Sequence, residues 1–171
     1  MSHKAYAFDW RAFEADGLYA LLLAALQSGD AGRIKRYIDA HYDDLRDPYE
    51  GEPLDTKWEA LLENRDVHEY GDFALTRFYD PLDDRGLADD WSAIDGELCE
   101  SDRAAMLGLP IGPSGREFDP GRQGSYFQTP QRVVDSLLRV EGVVAKMPKL
   151  RPFAELLRAC VESGRGVYVT F

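Results

Sequence analysis

The residues able to do chemistry are few in this chain, and their spacing decides what they can do. There are three histidines, His3, His41 and His68, and none belongs to the helical pair or Cys/His cluster that would hold zinc, so no metal is expected. His41 falls on an apolar stripe between Ile38 and Leu45, which suits a packed histidine better than a catalytic base. His68-Glu69-Tyr70 sets a carboxylate and a phenol beside an imidazole in sequence, but adjacent residues on a helix do not face one another. Asp80-Pro81-Leu82-Asp83-Asp84-Arg85-Gly86 offers close-spaced oxygens, yet Leu82 and Arg85 stand where a calcium loop needs an oxygen ligand and a glycine. Ser114 and Ser125 lack the Gly-x-Ser-x-Gly setting of an activated hydroxyl, and neither Cys99 nor Cys160 has a histidine placed beside it by sequence. No cofactor is expected, and the residues point to a binding protein rather than an enzyme.

Two stretches could bind. Residues 80–102 form an acidic belt with Asp80, Asp83, Asp84, Asp89, Asp90, Asp95, Glu97, Glu100 and Asp102 against Arg85 alone. Residues 1–102 hold 25 of the 31 acidic and 10 of the 20 basic residues, a balance of −15, while residues 103–171 carry +4. Such a segment repels a nucleic-acid backbone and leaves a basic protein as its natural charged partner. The expectation is that Asp83, Asp84, Asp89 and Asp90, arranged around Trp91 as an aromatic anchor, dock a basic protein as an immunity or inhibitor protein would. The alternative is a small-molecule or enzyme site on the glycine-rich loop 108–128, where Arg116, Arg122 and Tyr126 would hold an anionic ligand near the helix start at Thr129. A solvated surface and a plain ordered loop are the simpler readings of the two stretches. A structural, oligomer-forming domain would instead leave an apolar patch uncovered.

The elements that must position these residues follow from periodicity. Ala5-Tyr6-Ala7-Phe8 reads as a short strand, with Asp9 capping a brief helix through Phe13. Leu18–Gln27 is an apolar helix stopped by Ser28-Gly29, and Asp30 caps the next, with Ile34, Tyr37, Ile38, His41, Tyr42 and Leu45 on one stripe. Leu54–Asn64 is expected to be helical through Leu54, Trp58, Leu61 and Leu62, and 66–79 fits a helix better than a strand. Trp91, Ile94 and Leu98 repeat at helical spacing inside the belt. Thr129-Pro130 opens a helix ending near Gly142. Pro152 opens another, with Phe153, Leu156, Leu157, Cys160 and Val161 on one face and Gly164 as its stop. Val167–Phe171 is then a strand.

Leu54–Leu61, Tyr126–Val133 and the ending Phe153–Val169 resemble the YfbM-like family of small bacterial proteins. The likeness spans residues 54–64 and 126–171; where that family has a Gly-Pro-Ala-Arg segment this chain has Gly121-Arg122-Gln123-Gly124-Ser125. The resemblance implies one α+β domain of no established activity. With 171 residues, net charge −11 and two cysteines outside any C-x-x-C pair, the chain should form a single domain, 1–171, with reduced thiols. It is expected to be mostly helical with a small sheet that includes the C-terminal strand. No apolar run reaches the roughly 20 residues of a membrane helix, and the first residues lack a secretory segment, so a cytoplasmic location is expected.

Overall fold

Alternation along Lys4-Ala5-Tyr6-Ala7-Phe8 puts the two aromatic side chains on one side of a strand and the two alanines on the other. In the computed structural model, which describes residues 2–171, this is β1 (Lys4–Phe8). It pairs antiparallel with β3 (Gly166–Thr170), which pairs antiparallel on its other side with β2 (Ser125–Gln128), giving the order β1-β3-β2. The register sets Tyr6 opposite Tyr168 and Tyr168 opposite Phe127, and the Tyr168 and Phe127 rings stack with centroids 4.7 Å apart. The architecture is α+β, with a small central sheet covered on both faces by helices.

Tyr6, Phe8, Phe127 and Tyr168 face the larger core. Against them pack α1 (Trp10–Asp16), α2 (Leu18–Ser28), α3 (Gly32–Ala40) and α4 (Val67–Leu75). Ala5, Val167 and Val169 face a second core. That one is built with α5 (Trp91–Asp95), α6 (Glu100–Leu107), α7 (Pro130–Val144) and α8 (Arg151–Ser163). β3 is therefore buried on both faces, which its Val-Tyr-Val run suits. The helix boundaries have local causes. The Asp9 carboxylate accepts the Ala12 N–H at 3.0 Å, Thr129 Oγ1 accepts the Arg132 N–H at 3.4 Å, and Gly164 ends α8 at φ 65°. α7 runs past Gly142 to Val144. Among the described residues no helix is long and apolar enough to cross a membrane.

Leu54–Asn64 departs from expectation. Only Trp58–Leu61 is helical, as a short 3-10 helix, and Leu62 leaves in an extended conformation. The reason is a competing acceptor: the Glu69 carboxylate takes the backbone N–H groups of Glu63, Asn64 and Arg65 at 3.1, 2.8 and 2.6 Å. Those donors have no need of a helical partner. The segment 66–79 resolves as α4 followed by a turn, with Asp66 as its N-cap accepting from His68 and Glu69.

Residues 84–88 of the belt run along the open edge of β1. Arg85 N–H bonds Ala5 O at 2.9 Å, and His3 and Ala88 exchange both backbone bonds at 3.1 and 2.9 Å. Asp84 Oδ1 accepts from Ala5 N–H at 3.0 Å and Gly86 N–H at 2.8 Å. A Cβ on Gly86 would lie 2.0 Å from His3 O, so only glycine permits this approach. The opposite edge is closed by Leu109, which exchanges two bonds with Phe127. Covering an edge in this way removes a template for unwanted strand pairing.

Candidate functional site

Most carboxylates of the acidic belt have a partner within the protein, several of them in surface ion pairs. Asp83 pairs with Arg85 at 2.9 Å and Asp90 with Lys149 at 2.6 Å, while Asp84 serves the β1 edge. Farther along, Asp95 pairs with Arg103 and Asp102 with Arg139. Of the four aspartates expected to dock a partner, Asp89 alone has neither an ion pair nor a hydrogen bond on its carboxylate among the described residues. Trp91 corrects the expectation of a surface anchor: it is 4 % exposed, because Ile94 and Leu98 carry its helix face into the second core. Its ring stacks on His3 at 4.8 Å. His3 in turn is fully buried between Trp91, Phe153 and Phe171, its Nδ1 accepting the Leu87 N–H at 3.1 Å. Burial lowers its imidazole from 6.5 to about 4 against the opposing pull of its own backbone and of Asp84.

The alternative set is not assembled either. Arg116 reaches the end of α2, donating to Gln27 O at 3.0 Å, in an open cleft with Ser28, His68 and the α4 cap Asp66. Tyr126 packs edge-on against Phe171 at the end of the sheet, 6.3 Å between centroids. Arg122 is exposed, in a left-handed turn at φ 55°. The three do not converge on one ligand position.

What does converge is a set of residues from five separate parts of the chain. A cleft of about 80 Å³ opens at the end of the sheet where β1 begins and β3 finishes, lined by Lys4, Tyr6, Tyr49, Asp72, Tyr79 and Gly121, with Thr170 and Phe171 at its edge. Asp72 comes from the last turn of α4 and is 7 % exposed. Tyr49 is aimed by a loop that the Asp47 side chain organises: its Oδ1 accepts from the N–H groups of Tyr49 at 2.7 Å and Glu50 at 3.0 Å. Arg46 N–H ties the same loop to Thr76 Oγ1 at 3.0 Å, just beyond the helix that carries Asp72. The glycine-rich segment contributes Gly121, whose backbone approaches so closely that a Cβ would lie 2.3 Å from Phe171 O.

The electrostatics of this cleft are unusual. Burial raises the Asp72 carboxyl from 3.8 to about 7; the Tyr49 hydroxyl and then Lys4 pull it down, and Asp47 pushes it up. Neither Asp72 nor Lys4 forms an ion pair among the described residues. The phenols answer in kind. Burial, and then nearby carboxylates, raise the Tyr6 and Tyr79 hydroxyls; the Tyr49 hydroxyl, on a side chain that is two-thirds exposed, is pushed up to about 12 by partial desolvation and then by Asp72 and Glu69. Tyr168 lies beneath, raised by burial and then by Asp72; its hydroxyl is buried without a hydrogen-bond partner, while the neighbouring Ser125 and Thr170 hydroxyls bond each other at 3.0 Å. Near neutral pH the cleft thus holds one carboxyl able to gain or lose a proton and phenols that keep theirs.

No family model, curated protein or solved structure matches this chain. The likeness to the YfbM-like family therefore rests on sequence segments alone, and the site has to be read from its own chemistry. Sequence reasoning missed Asp72, Tyr49 and Tyr79. The available signal was an acid inside Tyr70-Gly71-Asp72-Phe73-Ala74-Leu75, a run with no other charge. An aspartate on a helix that is buried all round has either a structural partner or a ligand to meet.

Proposed function

We propose that the protein binds a small molecule in the cleft over Asp72. The observation that carries this reading is a nearly buried carboxyl with no ionic partner among the described residues, in a concave site that several phenols and a lysine also line. Burying an uncompensated charge costs stability. Perturbed titratable groups gathered in a cleft are candidates for a ligand site. The walls come from β1, the 46–53 loop, α4 with the turn that follows it, the glycine-rich segment and β3, so an occupant would touch five separate parts of the chain. This keeps the small-molecule alternative drawn from the sequence but moves it from Arg116, Arg122 and Tyr126 to Asp72 and its neighbours. Docking of a basic protein on the belt has less support, because most of the belt's carboxylates already have partners within the fold.

The test is a fragment screen by two-dimensional amide NMR on the full chain, with cationic, neutral and anionic members. Shifts at Lys4, Gly121 and Thr170 that are lost in Asp72→Ala are the expected result. Fragments that cluster over the Arg116 cleft, or none that perturbs the end of the sheet, would refute the reading.

A further inference from the structure

The chemistry of the cleft also selects the class of ligand, an inference that rests on the binding reading above. Three features bear on it. The first is charge. Among the described side chains that line the cleft Asp72 carries the one carboxyl, and it lies in the last turn of α4, where the helix presents its negative end; no basic residue lies in that turn. An anion placed there would meet a carboxylate and a helix C-terminus together, and only Lys4 at the rim would favour it.

The second feature is the wall. Tyr6, Tyr49 and Tyr79 line the cleft with aromatic rings and hydroxyl groups, Tyr49 two-thirds exposed at its rim, and the rings of Tyr6 and Tyr79 lie 4.7 Å apart. Aromatic side chains around a carboxylate are the arrangement that attracts an ammonium ion, through the ring quadrupole and through hydroxyl acceptors. The third feature is size. About 80 Å³ suits a small head group rather than a drug-sized ligand. A carboxylate with phenolic oxygens on one side is also too incomplete a shell for a divalent ion, which needs six or more oxygens.

We infer that the cleft takes a compact ammonium head group, primary or methylated, with the Asp72 carboxylate as its counter-ion and Tyr6, Tyr49 and Tyr79 as its walls. Binding requires the carboxylate form, so affinity rises with pH until Asp72 is ionised. The groups facing it that could modify this dependence are Lys4 and Tyr6 from β1, Asp47 and Tyr49 from the loop, Tyr79 after α4, and Tyr168 from β3. Lys4 opposes a simple cation, so its removal should strengthen binding. A role for Asp72 in folding alone would not produce that response.

The experiment is amide NMR titration of the full chain at constant ionic strength with methylammonium, and in parallel with acetamide, acetate, sodium and potassium. Methylammonium should shift Lys4, Gly121 and Thr170 with roughly millimolar affinity, which is near the ceiling for two heavy atoms. Asp72→Asn should weaken it at least tenfold at pH 8. The wild-type affinity should fall about tenfold per pH unit below the Asp72 pKa, and Lys4→Met should strengthen it roughly two- to fivefold. If acetate or acetamide shifts the same amides as strongly as methylammonium, the cleft is a site but the ammonium class is wrong. If sodium or potassium displaces methylammonium at equal concentration, the occupant is an alkali ion and the inference fails. If no probe of any charge shifts these amides, both the inference and the binding reading fall.

Discussion

Replacing Asp72 by Asn tests the physical basis of the site directly. The carboxyl titrates at 3.8 in an exposed setting and at about 7 in the fold. The native state therefore holds its proton over a window in which the unfolded chain has already lost it. The sign follows from linkage: between pH 3.8 and 7 the folded state binds more protons, so this residue's contribution makes stability fall as pH rises. Below the window the group is neutral in both states and contributes nothing; above it the fold carries the whole cost of a buried charge. About three pH units at 1.36 kcal/mol each give a penalty on the order of 4 kcal/mol at pH 8. An asparagine of the same shape cannot ionise. The assay is urea unfolding of wild type and Asp72→Asn at half-unit steps from pH 4 to pH 8.5, with m-values checked for equality. The stability of the Asn variant relative to wild type should climb by up to about 4 kcal/mol across that range. A difference that stays flat with pH would mean that the carboxyl is not perturbed. A difference of the opposite sign would mean that an unrecognised cation compensates it, and either result refutes the reasoning.

Other expectations can be measured alongside. His3, lowered from 6.5 to about 4, has the opposite sign: its contribution is complete above pH 6.5 and is lost as pH falls towards 4. His3→Phe should then abolish up to about 3 kcal/mol of acid sensitivity, seen by comparing the two unfolding curves over that window. Trp91→Ala should cost about 3–5 kcal/mol of stability, as for a core aromatic; a loss below 1 kcal/mol would restore Trp91 to the surface role expected from sequence. Asp84→Ala should cost about 1–3 kcal/mol by stranding two backbone donors, whereas Asp89→Ala should stay within about 0.5 kcal/mol, both by urea denaturation. Gly86→Ala should speed amide exchange at Ala5 and Ala88, because the added methyl group would force the 84–88 segment away from β1.

Much of the scaffold was legible because its signals are local. Thr129-Pro130, Gly29 and Gly164 act within one turn of helix, residues 4–8 alternate with period two, and the β-branched and aromatic run 167–171 is too short for a helix. Leu54–Asn64 was misread because the deciding partner, Glu69, lies outside the window that periodicity inspects; its carboxylate collects three N–H groups that would otherwise serve a helix. Trp91 was misread for the opposite reason. Its acidic neighbours suggested a surface, while Ile94 and Leu98 already implied that one side of the segment is buried. The site was the least legible part, since Lys4, Tyr49, Asp72 and Gly121 are brought together only by the packing of the loop 46–53 and the glycine-rich segment on α4. Each residue taken alone is unremarkable in sequence; the one warning was an aspartate within an uncharged run.

The strand order also bears on how the chain reaches its fold. β1 is made first and its partner β3 some 160 residues later, and β2 pairs with the other edge of β3. At synthesis rates of about 5–20 residues per second, β1 waits roughly 8–30 seconds before its inner edge can be satisfied. During that time Tyr6 and Phe8 can lean only on the helices that follow them, while residues 84–88 are available to cover the outer edge well before β3 exists. Growing chains should thus pass through a helical half-structure with a one-sided strand, and sheet closure should be a late, concerted event that brings both cores together.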